Sequence, residues 1–181
     1  MPKYIERMNK TFFMGAFLSP VIVPVIIIAF SLFQAATGIN RQLDEGLFVP
    51  IAILYVIFMF IMFILFHYRM WAAVYDERVK TSPGMAVFLL FVPIYNFIWI
   101  FKFYFGFVQH YNENVERYGQ NTGVKPIEGY AFFAMPILSV MGAILEFVEA
   151  GAMSIIVNIL IYIVFLVVVW QTCNAVNAMT D

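Results

Sequence analysis

From Phe12 to Thr37 the chain carries no charged side chain, and the same is true of the 20-residue-scale run from Leu47 to Phe66 that follows a short polar loop. About 20 consecutive apolar residues cross the hydrocarbon core of a bilayer, so each run is long enough to be a transmembrane helix. Composition agrees, with 64% hydrophobic and only 12% charged residues, about half the charge of an ordinary soluble domain. That deficit excludes a soluble globular fold, a disordered chain and a coiled coil. Cys173 is the single cysteine, which excludes a disulfide scaffold. The balance of 10 basic against 11 acidic residues offers no footprint for nucleic acid. The class expected is an all-α polytopic membrane protein.

The start of the chain (Lys3, Arg7, Lys10) followed by an apolar run has the look of a signal peptide. Signal cores are only about 7–15 residues long, so an uncleaved first helix is expected instead. Pro20 and Pro24 share one face of it and should kink it. His67, Tyr68, Arg69 and Trp71 close the second run like an interfacial anchor, and Ser82-Pro83-Gly84 is a strong turn signal. Met85 to Val108 is apolar but interrupted at Val92-Pro93-Ile94-Tyr95-Asn96. Beyond the break, Phe97, Phe101, Tyr104, Val108, Tyr111, Val115 and Tyr118 recur at helical spacing beside a polar stripe of Lys102, Gln109, Glu113 and Glu116. This is the pattern of an amphipathic helix at a membrane interface. Gly129 to Val148 and Ala152 to Trp170 are two further apolar stretches, followed by a short polar tail. One membrane domain is expected over residues 1–181, with spans at about 12–37, 47–67, 129–148 and 152–171 and a hairpin at about 85–118.

Charge placement decides whether Met85 to Val108 crosses. Lys and Arg in short loops favour the cytoplasmic side. With five spans, six basic residues face inward and four outward; with four spans and a re-entrant hairpin, nine lie inside and only Arg41 outside. The second partition is the more biased. The expected architecture is therefore four transmembrane helices plus a re-entrant or interfacial helical hairpin, both termini cytoplasmic, with five transmembrane helices as the alternative.

Thr81 to Asn112 reads TSPGMAVFLLFVPIYNFIWIFKFYFGFVQHYN. Its Ser-Pro-Gly-x-Ala-Val, Val-Pro-Ile-Tyr-Asn and the Trp99 that follows resemble a motif of uncharacterised bacterial four-helix membrane proteins, the DUF4328-like group. The resemblance spans about 30 residues and singles out Pro83, Gly84, Pro93, Asn96 and Trp99. It implies a multi-pass protein of the bacterial inner membrane with a helix-turn-helix at this point, and it implies no reaction, ligand or cofactor.

Little in the chain is suited to catalysis. Haem between helices needs paired ligands, and the two histidines, His67 and His110, lie at a span end and on the amphipathic helix. No clustered metal ligands, phosphate loop or nucleophilic triad can be assembled, so no catalytic, cofactor-binding or metal-binding residue is expected and the protein is read as a non-enzyme. Cys173 reads as a small buried hydrophobe. Glu146 and Glu149 share a face at the end of the third span, and with Asp44 and Glu45 they make the outer side acidic. Asn158 lies in the last span near Tyr162, where an amide is either interhelical glue or part of a polar pathway. Gly15 and Ser19 form a small-xxx-small pair. The function expected is that of a membrane scaffold, sensor or effector working through its cytoplasmic aromatic hairpin, with Phe101, Tyr104 and Tyr111 as the partner or headgroup surface. The partners expected are the lipid bilayer and either a second copy or another membrane or cytoplasmic protein. The alternative is an oligomeric channel or transporter whose acidic outer mouth (Glu146, Glu149, with Asn158 below) favours cations.

Overall fold

The computed structural model describes residues 6–37, 45–76, 78–118 and 124–180. The loop carrying Arg41 and Asp44 lies outside the described residues, as does the loop from Gly119 to Gly123. Among the described residues six α-helices follow in order: α1 (Lys10–Thr37), α2 (Glu45–Val74), α3 (Pro83–Phe88), α4 (Tyr95–Tyr118), α5 (Tyr130–Phe147) and α6 (Ala152–Ala178). Four of them, α1, α2, α5 and α6, are long and apolar enough to cross a membrane. No strand occurs among the described residues. The protein is an all-α polytopic membrane protein.

Met85 to Val108 does not form a fifth straight span. Ser82 caps α3 by accepting from the Met85 amide at 3.4 Å, and Pro83 occupies its first turn, where a missing N–H costs nothing. A single 3-10 turn, Leu89–Phe91, ends this arm. Pro93 then cannot donate, and Ile94 adopts φ 65°, a left-handed conformation that a β-branched residue rarely takes. The Asn96 amide reaches back to the Val92 carbonyl at 2.9 Å and starts α4 in a new direction.

Two helices run further than their apolar stretches. α2 continues past His67 to Val74, and α6 continues through the polar tail to Ala178. In both, the added turns bury side chains: Met70, Trp71 and Val74 on α2, Thr172, Cys173 and Val176 on α6. Helix continuation follows the packing, and the hydropathy edge does not mark it.

The bundle has two unlike ends. At one end the start of α1 and the end of α6 are tied by a reciprocal pair: the Met8 amide donates to Asn177 Oδ1 at 2.7 Å, and Asn177 Nδ2 donates to the Met8 carbonyl at 3.0 Å. Asn9 caps α1 by accepting from the Phe12 amide, and Lys10 lies over the Trp170 ring at 4.7 Å. The buried core gathers here, from Phe13 and Phe17 of α1, Phe66 of α2, Phe103 and Phe107 of α4, Phe132 of α5, and Phe165 and Val169 of α6. Edge-to-face rings join three spans, with Phe17 4.9 Å from Phe165 and 5.7 Å from Phe66. At the other end α1 from Val21 to Phe33 is exposed on every face, and α2 from Val49 to Ile61 on all but the half-buried stripe of Ala52, Tyr55 and Met59. The exposure of α1 begins at Val21, directly after Pro20. In lipid such surface carries no penalty, because hydrocarbon tails are as apolar as leucine.

Candidate functional site: the hairpin and its buried histidine

The α3–α4 hairpin is held by side chains that satisfy backbone groups helices leave open. The Trp99 indole donates to the Ala86 carbonyl at 2.7 Å, in the last turn of α3 where no intrahelical partner exists. The Trp71 indole of α2 donates to the Thr81 carbonyl at 2.9 Å just ahead of it. Trp71 also stacks on Phe103 at 5.0 Å and lies edge-on to His110 at 6.4 Å. Gly106 makes this possible, since a Cβ there would stand 3.3 Å from the Trp71 ring. The loop between α2 and α3 is pinned in turn, with Arg78 bonded both to Asp76 and, at 2.9 Å, to Asn114 Oδ1 of α4. Burial alone would push the Asp76 carboxyl up, but the Arg78 guanidinium and backbone amides outweigh it and hold it below the ordinary carboxylate value.

Beneath the hairpin sits His67, fully enclosed. Its Nδ1 lies 2.8 Å from the Phe63 carbonyl and its Nε2 2.9 Å from the Tyr104 hydroxyl. A carbonyl can only accept, so Nδ1 carries a proton; in the neutral ring Nε2 then accepts from Tyr104. Phe63, Phe103 and Phe165 surround the ring. One hydrogen bond thus joins α2 to α4 in an apolar setting, where a lone polar group would be costly. Tyr111, two turns further along α4, donates to the Ala175 carbonyl of α6 at 3.2 Å, and burial pushes its phenol up to about 12. Asn112 brackets Ile127, accepting from its amide at 2.8 Å and donating to its carbonyl at 3.2 Å.

The expected surface of Phe101, Tyr104 and Tyr111 needs correcting. Tyr104 and Tyr111 are buried, and Phe101 is half-buried against Phe105. The inward face of α4 is Trp99, Phe103, Tyr104, Phe107, Val108, Tyr111 and Val115, turned from the sequence stripe by one to two positions at its start. The cause is that the first half of α4 packs on α2 and α3, where Trp71 and His67 meet Trp99 and Phe103 and the Ala86 carbonyl takes the Trp99 indole. The lipid- or solvent-facing set is instead Ile94 at 84% exposure, Phe97, Ile98 and Phe105, followed by a polar second half. There Gln109 donates to Glu113 at 2.9 Å and, with His110 alongside, draws the Glu113 carboxyl below its usual range.

Of the other motif residues, Pro83 is buried, Gly84 is open to its surroundings, and Asn96 keeps an enclosed Oδ1 without a hydrogen-bond partner. At the open end, Asn158 donates to Glu146 at 2.9 Å, so two of the three expected polar residues meet across α5 and α6. Gly142 lets those helices close, since a Cβ there would meet Ile161 at 3.0 Å. Glu149 is apart from them, exposed at φ 52° in the turn between the helices. A second polar tie was not anticipated: Ser19 Oγ lies 2.8 Å from the Tyr55 hydroxyl, and Tyr162 donates to the Phe17 carbonyl. Ser19 was visible as a small residue, but its hydroxyl donates to the Ala16 carbonyl of its own helix at 2.6 Å and also meets Tyr55 of α2. Among the described residues no group of three His, Cys, Asp or Glu side chains gathers as a metal site would require. No protein family, curated protein or solved structure matches the chain.

Proposed function

We propose that this chain is a small bacterial inner-membrane protein that works as a scaffold, sensor or effector through the α3–α4 hairpin, with both termini and the packed end of the bundle in the cytoplasm. One observation carries the reading: the hairpin is fastened from beneath by His67–Tyr104, Trp71–Thr81 and Trp99–Ala86, while its outer side divides into an apolar tip and a polar second half. A tip of Ile94, Phe97 and Ile98 suits re-entry into the acyl region. The half carrying Gln109, Glu113 and Glu116 suits water and a partner. The charge bias of nine basic residues against one sets the same orientation, and the resemblance to the DUF4328-like group rests on this very segment. A second copy of the chain or another membrane or cytoplasmic protein is the partner expected.

The test replaces Cys173 with Ser and places single thiols at Ile94 and Glu116 in membrane vesicles of known orientation. An impermeant thiol reagent should label position 116 from the cytoplasmic face only and leave position 94 unlabelled from either face. Labelling of position 116 from the opposite face would overturn the topology. Charge reversal at Glu113 and Glu116 (both to Lys) should then lower co-purification of partners from native membranes at unchanged insertion, and undiminished recovery would remove the hairpin as the contact surface. The rival pore reading draws on the acidity of Glu146 and Glu149, but Glu146 is engaged by Asn158 in tying α5 to α6.

A further inference from the structure

A groove of about 420 Å³ runs along one stripe of α2, formed by Leu65, Tyr68, Arg69 and Ala72 and by Tyr75 just past the helix end, with Pro83 of α3 and Glu6 of the N-terminal segment as its walls. The stripe follows helical spacing, so the groove lies parallel to the helix axis. From Leu65 to Tyr75 it covers about 15 Å at 1.5 Å per residue. Its upper end is apolar and exposed, at the level where α2 is still a span; its lower end is where α2 leaves for the loop to α3. Leu65, Ala72 and Pro83 supply apolar wall, and two phenol hydroxyls and one ion pair supply polarity.

The ion pair gives the groove its character. Arg69 stands 3.4 Å from Glu6, a loose contact, with side-chain exposures of 39% and 78%. An exposed pair of this kind adds little to stability, on the order of 0–1 kcal/mol. The groove is therefore electrically neutral but dipolar. Phe13 and Phe66 are in contact at 5.7 Å and mark a common level. Arg69 lies three residues beyond Phe66, and Glu6 precedes α1 on a segment that is not helical until Lys10; at twice the exposure of Arg69, Glu6 is the more outward charge of the pair.

We propose that this groove is a site for a zwitterionic phospholipid bearing a primary ammonium, such as phosphatidylethanolamine. The order of charges matches: such a lipid carries its phosphate next to the glycerol and its ammonium further out, opposite Arg69 and Glu6 respectively. The guanidinium binds the phosphate with charge-assisted hydrogen bonds, and Glu6 accepts from the ammonium. Tyr68 and Tyr75 offer hydroxyls to the phosphate and ring faces to the cation. An acyl chain lies along Leu65 into the bilayer. A purely anionic lipid gains less, because Glu6 repels what Arg69 attracts. The site needs only that α2 spans the bilayer and is independent of what the hairpin contacts.

The experiment measures lipid retained by the purified full-length chain in detergent by native mass spectrometry, after equal exposure to phosphatidylethanolamine or phosphatidylglycerol with identical acyl chains. Retention should favour phosphatidylethanolamine by about two- to fivefold, the factor an exposed charge pair supplies. Glu6→Gln should erase that preference, and Arg69→Gln should lower retention of both lipids. The paired exchange Glu6→Arg with Arg69→Glu preserves the internal ion pair, hence the fold, but reverses the order of charges, and should lose phosphatidylethanolamine. A purely structural ion pair would leave lipid retention unmoved by this exchange, and that result would overturn the proposal. So would equal retention of the two lipids by the native chain, or competition by soluble phosphoethanolamine at the concentration of the lipid, which would show that no acyl chain is used.

Discussion

Phe66 and Leu54 lie on the same helix about three turns apart and meet opposite surroundings. Phe66 is fully enclosed by rings from α1 and α6, whereas Leu54 is 65% exposed and touches no core. Hydropathy does not separate them; both sit in one charge-free run. The difference is that the hairpin enters the bundle only at the Phe66 end. There α4 inserts Phe103 and Tyr104 beside α2 and Phe107 beside α5, and these two spans gain a protein neighbour in place of lipid. Where no hairpin reaches, α1 is exposed from Val21 onward, and lipid is the natural solvent of such faces. Tight packing in a membrane protein thus depends on shape and polar ties, since apolarity is the same on either side of the contact.

The contrast is sharpest for large core side chains. Phe103→Ala should destabilise the protein by about 3–5 kcal/mol, against within about 0.5 kcal/mol for Leu54→Ala, read as midpoints of unfolding in mixed micelles. Equal effects would dissolve the distinction between the two ends. Next comes the polar tie. Tyr104→Phe leaves His67 Nε2 buried without its partner and should cost about 1–3 kcal/mol. Combined with His67→Leu, the double variant should lose less than the sum of the two single losses; strict additivity would mean that the bond does not couple α2 to α4. Ile94→Gly, which relieves the left-handed backbone at the hairpin tip, should gain up to about 1 kcal/mol, visible as a higher thermal midpoint.

The smallest effect concerns pH. Asp76 has its carboxyl held below the ordinary value of 3.8, so the stability it lends the α2–α3 loop is present above that value. It is lost as pH falls through the depressed folded value, because the unfolded chain takes up the proton first. Amide hydrogen exchange at Arg78 and Val79 should speed up in that acidic window, and Asp76→Asn should abolish the change. Exchange that accelerates equally in the variant would assign the loop's order to Trp71 and Asn114 instead.

Four spans, a break at Pro93 and an amphipathic α4 were all legible in the residues, because length, charge and proline are local properties. The buried face of α4 was legible only in part. Tyr104, Val108, Tyr111 and Val115 fell on the expected stripe, but Phe97 and Phe101 gave way to Trp99 and Phe103 once α4 packed on α2 and α3. His67 looked like an interfacial anchor because it ends an apolar run, and nothing nearby in the chain announces that Tyr104 will cover it. Glu146 and Asn158 were each singled out, while their bond depended on Gly142 allowing α5 and α6 to approach.

What the chain specifies locally is where helices begin, where they break and which of them lipid will accept. Burial and pairing are different in kind. Lipid and protein neighbours are equally apolar, so no hydrophobic pattern can state which end of a span is enclosed; the position of the inserted hairpin, and the hydrogen bonds that hold it there, decide that.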